Sequence, residues 1–152
     1  MNKGLFSSNS GEWETPQWLF DELDKEFGFN LDPCCTHENC KTLLGYTKQE
    51  DGLSRDWAGS RVFMNPPYGR EIGKWIKKAF ESEAEVVVGL LPARTDTKWF
   101  WDYIYKKKNV EIRFIKGRLK FGGSKNSAPF PSLIAIFRNI AFKPHIRPKR
   151  GL

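Results

Sequence analysis

Hydrophobic positions along this sequence change between a helical period and short continuous runs. The first helical stretch begins at Thr15, whose hydroxyl suits an N-cap, with Pro16 in the first turn, and it stops at Gly28. Its apolar positions are Trp18, Leu19, Leu23 and Phe27. The same spacing predicts helices over about 70–82 and 97–105, the former with Ile72, Trp75, Ile76 and Ala79 on its apolar face.

Apolar runs between these helices predict strands. Residues 29–31 form a short run, 61–64 lead directly into Asn65, and 86–91 are apolar throughout, as in a strand buried on both faces. Further strands are predicted over 111–115 and 132–137, whereas 34–60 has no clear period. Alternating strands and helices predict an α/β sheet. Because no helix separates the last two strands, they should form an antiparallel hairpin, which makes the sheet mixed but mostly parallel.

Length and composition favour one domain over 1–152, with 1–12 as a loose arm and 142–152 as a basic tail. With 39% hydrophobic and 28% charged residues, the chain resembles a soluble globular protein rather than a disordered one. Its apolar runs are too short to span a bilayer, and its first residues lack the apolar stretch of a signal peptide. We therefore expect neither a membrane protein nor a secreted one.

Three cysteines cannot all pair, so no disulfide framework and a reducing compartment are predicted. Cys34, Cys35, His37 and Cys40 are residue types that bind zinc, but a second pair of ligands at regular spacing is missing. No metal site is predicted, and neither His37 nor His145 is expected to take part in chemistry.

The net charge of +7 is unevenly distributed. No acidic residue follows Glu111, and ten basic residues do. This asymmetry indicates either a face for a polyanion such as nucleic acid or a solvated basic tail. Five large aromatic residues suggest a stacking surface or core packing, and Trp75 and Phe100 are assigned to the core. The five are Trp57, Trp75, Trp99, Phe100 and Trp101.

The most specific motif is Asn65-Pro66-Pro67-Tyr68, at the end of a predicted strand. Its prolines fix the backbone and donate no hydrogen bond, so the turn is stiff and its carbonyls remain free to accept. The side-chain oxygen of Asn65 and the carbonyl of Pro66 can both accept from one planar amino group, and Tyr68 offers a ring for stacking. The motif therefore suits a heterocycle with an exocyclic amine, although Asn-Pro also occurs in ordinary tight turns.

This motif and several others resemble, in order and spacing, the small phage-type Dam family of S-adenosylmethionine-dependent DNA N6-adenine methyltransferases. The similarity covers about 13–137. The other matching segments are Trp13-Glu14-Thr15-Pro16, Leu31-Asp32-Pro33-Cys34, Asp51-Gly52-Leu53, Asp56-Trp57, Leu91-Pro92-Ala93-Arg94-Thr95-Asp96 and Gly117-Arg118-Leu119-Lys120-Phe121.

The resemblance implies a Rossmann-like methyltransferase fold, S-adenosylmethionine as cofactor and DNA as partner. It also implies a phage- or prophage-encoded enzyme acting in the cytoplasm of a bacterial cell. Asn65, Pro66, Pro67 and Tyr68 would receive a flipped adenine. Asp32 would lie beside the methionine or ribose part of the cofactor, and Asp51 would accept a hydrogen bond from its adenine amine. The implied cofactor-binding residues are Thr15, Pro16, Asp32, Pro33, Cys34, Asp51 and Leu53.

The sequence departs from the family pattern between 34 and 60. Residues 34–44 contain no glycine, whereas methyltransferases usually have a glycine-rich turn there. No motif assigns the acid that binds the ribose, for which Glu38 is the candidate. Because this stretch is too short for the usual elements, we expect a sheet reduced on the cofactor side.

The basic C-terminal third contributes a candidate DNA-facing loop over 117–131, which could also be an ordinary hairpin connection. Arg94 and Arg118 would bind phosphate or form internal ion pairs, and Lys120 and Lys125 join them as candidate DNA contacts. Two kinds of alternative remain, a different methyl acceptor and a role without catalysis. The same site could methylate cytosine N4, an RNA adenine or a glutamine amide, or the chain could bind DNA without catalysis.

Overall fold

The computed structural model describes residues 13–139, so the predicted arm over 1–12 and tail over 142–152 lie outside the described residues. It has three α-helices, α1 (Gln17–Phe27), α2 (Ile72–Glu81) and α3 (Lys98–Tyr103), within that range. Two 3-10 helices cover Lys48–Glu50 and Gly52–Ser54. The strands are β1 (Leu31–Asp32), β2 (Leu44–Gly45), β3 (Arg61–Met64), β4 (Val86–Pro92), β5 (Val110–Phe114) and β6 (Ser132–Arg138).

These strands form one mixed sheet in the order β2-β1-β3-β4-β6-β5. The pairs β1–β2, β1–β3 and β3–β4 are parallel. The last strand, β6, lies between β4 and β5 and is antiparallel to both. The mixed α/β sheet and its antiparallel hairpin are thus confirmed.

The sheet separates two layers of apolar side chains, as the alternation of side chains along each strand requires. On one face, Val62 and Met64 of β3 pack with residues of α2 and α3. On the other, Phe63 packs with α1 and with apolar residues from 119–130. Trp75 and Phe100 are both buried, which confirms their assignment to the core.

The first helix differs from its prediction at both its start and its face. It begins at Gln17, with Pro16 rather than Thr15 as N-cap, because the carbonyl of Pro16 accepts from Leu19 and Phe20. Its buried side chains are Leu19, Phe20 and Leu23, whereas Trp18 is 59% exposed. The helix ends at Gly28 in the left-handed region, as predicted. The first strand is also shifted, from 29–31 to Leu31–Asp32.

The segment between β1 and β3 contains a two-residue strand and two single-turn 3-10 helices, so this side of the sheet is short, as expected. Cys35 and Cys40 form a disulfide, a single local pair that the odd number of cysteines did not predict. The pairing closes a small loop and leaves Cys34 as a free thiol. Cys35 and Cys40 are therefore bonded to each other rather than arranged as metal ligands.

Candidate active site

The carboxyl ends of the parallel strands bring the predicted site residues to one edge of the sheet. Asp32 ends β1 and Asn65 directly follows β3, which pairs with β1 on one side and β4 on the other. The hydroxyl of Tyr68 donates to the carbonyl of Leu90 on β4, at 3.2 Å. This edge is where ligands bind in open α/β sheets.

The Asn65 amide is oriented by Trp13 and Thr15, which lie about fifty residues earlier in the sequence. Its Nδ2 donates to the backbone carbonyl of Trp13 and, at 3.0 Å, to the hydroxyl of Thr15. Since a carbonyl can only accept, the nitrogen must face Trp13, and Oδ1 points the other way. Oδ1 is buried and, among residues 13–139, has no hydrogen-bond partner. A buried acceptor without a partner costs about 1–3 kcal/mol, so this atom is poised for an external donor.

The remainder of the motif is rigid. Pro66 is buried, Pro67 and Tyr68 are half-buried, and the Tyr68 ring contacts Phe130 with centroids 5.4 Å apart. Burial raises the pKa of Tyr68 far above its ordinary value, so the phenol remains protonated and acts as a donor. The aromatic cluster also includes Trp13, which packs edge-on against Phe130 at 5.1 Å.

Asp32 and Cys34 connect the end of β1 to this motif. The Asp32 carboxylate accepts from the Cys34 backbone N–H at 3.1 Å, and burial raises the pKa of Asp32 to about 7. Burial and then the neighbouring Asp32 carboxyl raise the pKa of the Cys34 thiol, while a hydrogen bond from the Asn65 backbone lowers it. Cys34 therefore links the carboxyl of Asp32 to the backbone of Asn65. No sequence periodicity indicates this link.

The second predicted cofactor segment packs directly against the first. A Cβ atom on Gly52 would lie 1.8 Å from the carbonyl oxygen of Pro33, so only glycine fits this approach. Asp51 is exposed with a φ of 52°, and Leu53 is half-buried against the core. The carbonyl of Gly52 accepts from the Trp57 indole at 2.9 Å, which fixes the turn. Segments twenty residues apart thus form one surface.

The candidate DNA-facing loop is held by its apolar residues and exposes its basic ones. Its buried residues are Leu119, Phe121, Ala128 and Phe130. Arg94, Arg118, Lys120 and Lys125 are exposed, and none of the four forms an ion pair within the described range. The Gly122 N–H donates to the carbonyl of Glu14 at 2.9 Å, which fastens the loop beside the residues that orient Asn65.

No helix within residues 13–139 is long and apolar enough to cross a membrane. The same range contains no group of three or more His, Cys, Asp or Glu residues placed to hold a metal ion. Trp13, to which the sequence motifs assign no role, orients Asn65 through its backbone carbonyl across 52 residues of sequence.

Comparison with known proteins finds relatives over most of the chain. Residues 5–146 match the family described as DNA N-6-adenine-methyltransferase (Dam). The chain is also 33% identical over 139 residues to the DNA N-6-adenine-methyltransferase of Haemophilus phage HP1 (strain HP1c1). That match covers 86% of this chain and 80% of the relative.

Proposed function

This chain belongs to the DNA N-6-adenine-methyltransferase (Dam) family, as its motifs predict, and from that premise we propose how its site works. It is an adenine-specific DNA methyltransferase. We propose that S-adenosylmethionine is the methyl donor, that the fold is the Rossmann-like methyltransferase fold, and that Asn65-Pro66-Pro67-Tyr68 receives a flipped adenine. The observation that carries this proposal is the buried, unpartnered Oδ1 of Asn65.

The acceptor half of the proposal follows from the hydrogen-bonding capacity of the motif. An adenine N6 amino group has two N–H donors, and Oδ1 of Asn65 together with the carbonyl of Pro66 supplies two acceptors. Both acceptors are held on a stiff backbone, because the two prolines fix its angles. Accepting both protons directs the nitrogen lone pair away from Asn65 and Pro66. Tyr68 stays protonated, so it positions the substrate rather than acting as a base.

The cofactor half rests on the surface formed by Asp32, Pro33 and the Asp51–Leu53 turn. When bound, S-adenosylmethionine supplies a methyl group already activated by its positive sulfur. Asp32 suits such a cation, because a neighbouring positive charge favours the ionised form of a carboxyl whose pKa burial has raised. Asp51 is exposed and available to accept from an amine, and Leu53 offers an apolar side chain for a ring. Thr15 and Pro16 complete the proposed cofactor set. The work of the protein is thus mainly orientation and electrostatics.

The DNA half rests on the exposed basic residues around this edge. Reaching N6 inside a duplex requires the adenine to leave the base stack, which costs a few kcal/mol. Arg94, Arg118, Lys120 and Lys125 would offset this cost by binding phosphates. Since these four residues have no ion-pair partner among residues 13–139, phosphate binding is favoured over internal pairing.

The test is methyl transfer from radiolabelled S-adenosylmethionine to unmethylated duplex DNA and, separately, to RNA, followed by nucleoside analysis. We expect label in N6-methyladenine from DNA. Label in N4-methylcytosine or only in RNA would assign the site to a different acceptor. DNA binding without any label would overturn catalysis and leave a binding protein on a methyltransferase scaffold.

A further inference from the structure

An exposed aromatic pair, Trp101 and Tyr105, lies next to the candidate active site. Trp101 on α3 is 57% exposed, and Tyr105, just beyond the helix, is 36% exposed. Their rings pack edge to face with centroids 4.8 Å apart. The two adjacent rings form an apolar patch with area available for a partner to cover.

The pair lies close to the site edge of the sheet. The indole N–H of Trp101 donates to the carbonyl of Thr95 at 2.8 Å, three residues beyond the end of β4. On the same strand, Leu90 accepts the hydrogen bond from Tyr68. Five residues of chain therefore separate the Tyr68 contact from the Trp101 contact, which spans at most about 17 Å even when fully extended.

The rings are held rigidly from beneath. The Tyr105 ring stacks on Phe100 with centroids 5.8 Å apart, and Phe100 is buried in the core. Because the polar atom of the Trp101 ring is already bonded to Thr95, the exposed part of this ring is apolar and suited to stacking. Little conformational entropy would be lost when such preorganised rings bind a partner.

The surrounding charge identifies the kind of partner. Residues 94–108 contain five cationic and two acidic residues. The Lys106 ammonium lies over the Tyr105 ring, 5.4 Å from its centroid, and Arg94 is exposed at the beginning of the segment. Aromatic rings interleaved with cations fit the bases and phosphates of nucleic acid.

We propose that Trp101 and Tyr105, with Arg94 and Lys106, form a second DNA-contact surface beside the adenine pocket. The rings stack on DNA exposed by the extrusion of the adenine, and the cations bind the adjoining phosphates. This inference rests on the proposed function, since it takes the substrate to be DNA. It adds a binding surface on the opposite face of the sheet from the 117–131 loop, because α3 and that loop pack on different faces.

The experiment compares Trp101→Ala with Trp18→Ala, a matched control of the same residue type and nearly the same exposure, 59%, on α1. The full chain is titrated without cofactor into a fluorescently labelled duplex that holds one unpaired adenine, so that the base leaves the stack readily, and binding is followed by anisotropy at fixed salt. Trp101→Ala should weaken binding about tenfold, in keeping with the loss of one base–aromatic stack. Trp18→Ala should leave it unchanged. Circular dichroism confirms that both variants are folded.

Three results would overturn the inference. The first is that Trp101→Ala binds the duplex as tightly as the wild type does. The second is that Trp101→Ala and Trp18→Ala lose the same DNA affinity. The third is that the chain forms a dimer, which only Trp101→Ala dissociates, while DNA affinity is kept. The last would assign the face to a second copy of this chain. Methyl transfer by the wild type is measured in parallel. Selective loss of DNA binding in Trp101→Ala without any methyl transfer by the wild type would retain this surface and refute the proposed function alone.

Discussion

Replacing Asp32 by asparagine removes a carboxyl that folding buries at the end of β1. Asp32 is 7% exposed, and burial raises its pKa from 3.8 to about 7. In the unfolded chain this carboxyl ionises above about pH 4, whereas in the folded protein it stays protonated until about pH 7. The unfolded state therefore binds fewer protons in this window, and the stability contributed by Asp32 is lost as pH rises through it.

The size of this loss follows from the pKa values. Each pH unit between the two pKa values corresponds to about 1.4 kcal/mol, so the free energy of unfolding should fall by roughly 3 kcal/mol between pH 5 and pH 7. Above pH 7 the contribution is constant. The Cys34 thiol beside Asp32 has a raised pKa and stays protonated throughout, so it adds nothing in this window. The Asp32→Asn variant has no titrating group at position 32, so this residue adds no pH dependence to its free energy of unfolding.

Urea unfolding at pH 5, 6, 7 and 8, followed by tryptophan fluorescence, measures this difference. Other titrating groups affect both proteins equally, so only the difference between wild type and Asp32→Asn is interpreted. Asp32→Asn should gain roughly 3 kcal/mol relative to the wild type from pH 5 to pH 8, which moves the urea midpoint by about 1–3 M. A difference that is constant with pH, or that falls, would refute the reasoning.

Further predictions concern the contacts that assemble the site. Gly52→Ala should unfold more easily and lose S-adenosylmethionine affinity in calorimetry, because its Cβ would collide with the Pro33 carbonyl. Gly73→Ala is the control: on α2 its Cβ would meet only the Trp99 Cβ, at an ordinary van der Waals distance of 3.9 Å, so thermal unfolding should show a gain of about 0.5–1 kcal/mol. Thr15→Val should lower the single-turnover rate of methyl transfer about tenfold, because the Asn65 amide loses its hydrogen bond to the Thr15 hydroxyl. Thr15→Ser keeps a hydroxyl and should restore the rate. Equal rates in the two variants would contradict the role of this hydroxyl.

Local patterns predicted the central sheet well and the site only in part. Strand 61–64 was predicted with its observed bounds because an apolar run ends at a proline-stiffened turn. The face of α1 was less determined, since both Trp18 and Phe20 fit beside Leu19 and Leu23. In the fold, Phe20 is the residue that packs against the sheet.

Contacts between distant segments left no local signal. The Thr15 hydroxyl fits a helix cap in sequence, yet in the fold it faces Asn65, fifty residues away. The Cys35–Cys40 disulfide was missed because an odd number of cysteines argues against a framework but not against one local pair. The sequence does not indicate that Oδ1 of Asn65 is buried without a partner, because this depends on the residues that bind its Nδ2.

The central claim is that Asn65 Oδ1 accepts from the adenine amino group during methyl transfer. The most direct test is the single-turnover rate of transfer to adenine N6 in duplex DNA for wild type and Asn65→Ala, alongside S-adenosylmethionine affinity. We expect a rate loss of at least about 100-fold in Asn65→Ala, as for other preorganised hydrogen-bonding groups, with cofactor affinity changed less than about tenfold. An Asn65→Ala enzyme that methylates adenine at close to the wild-type rate would contradict the account.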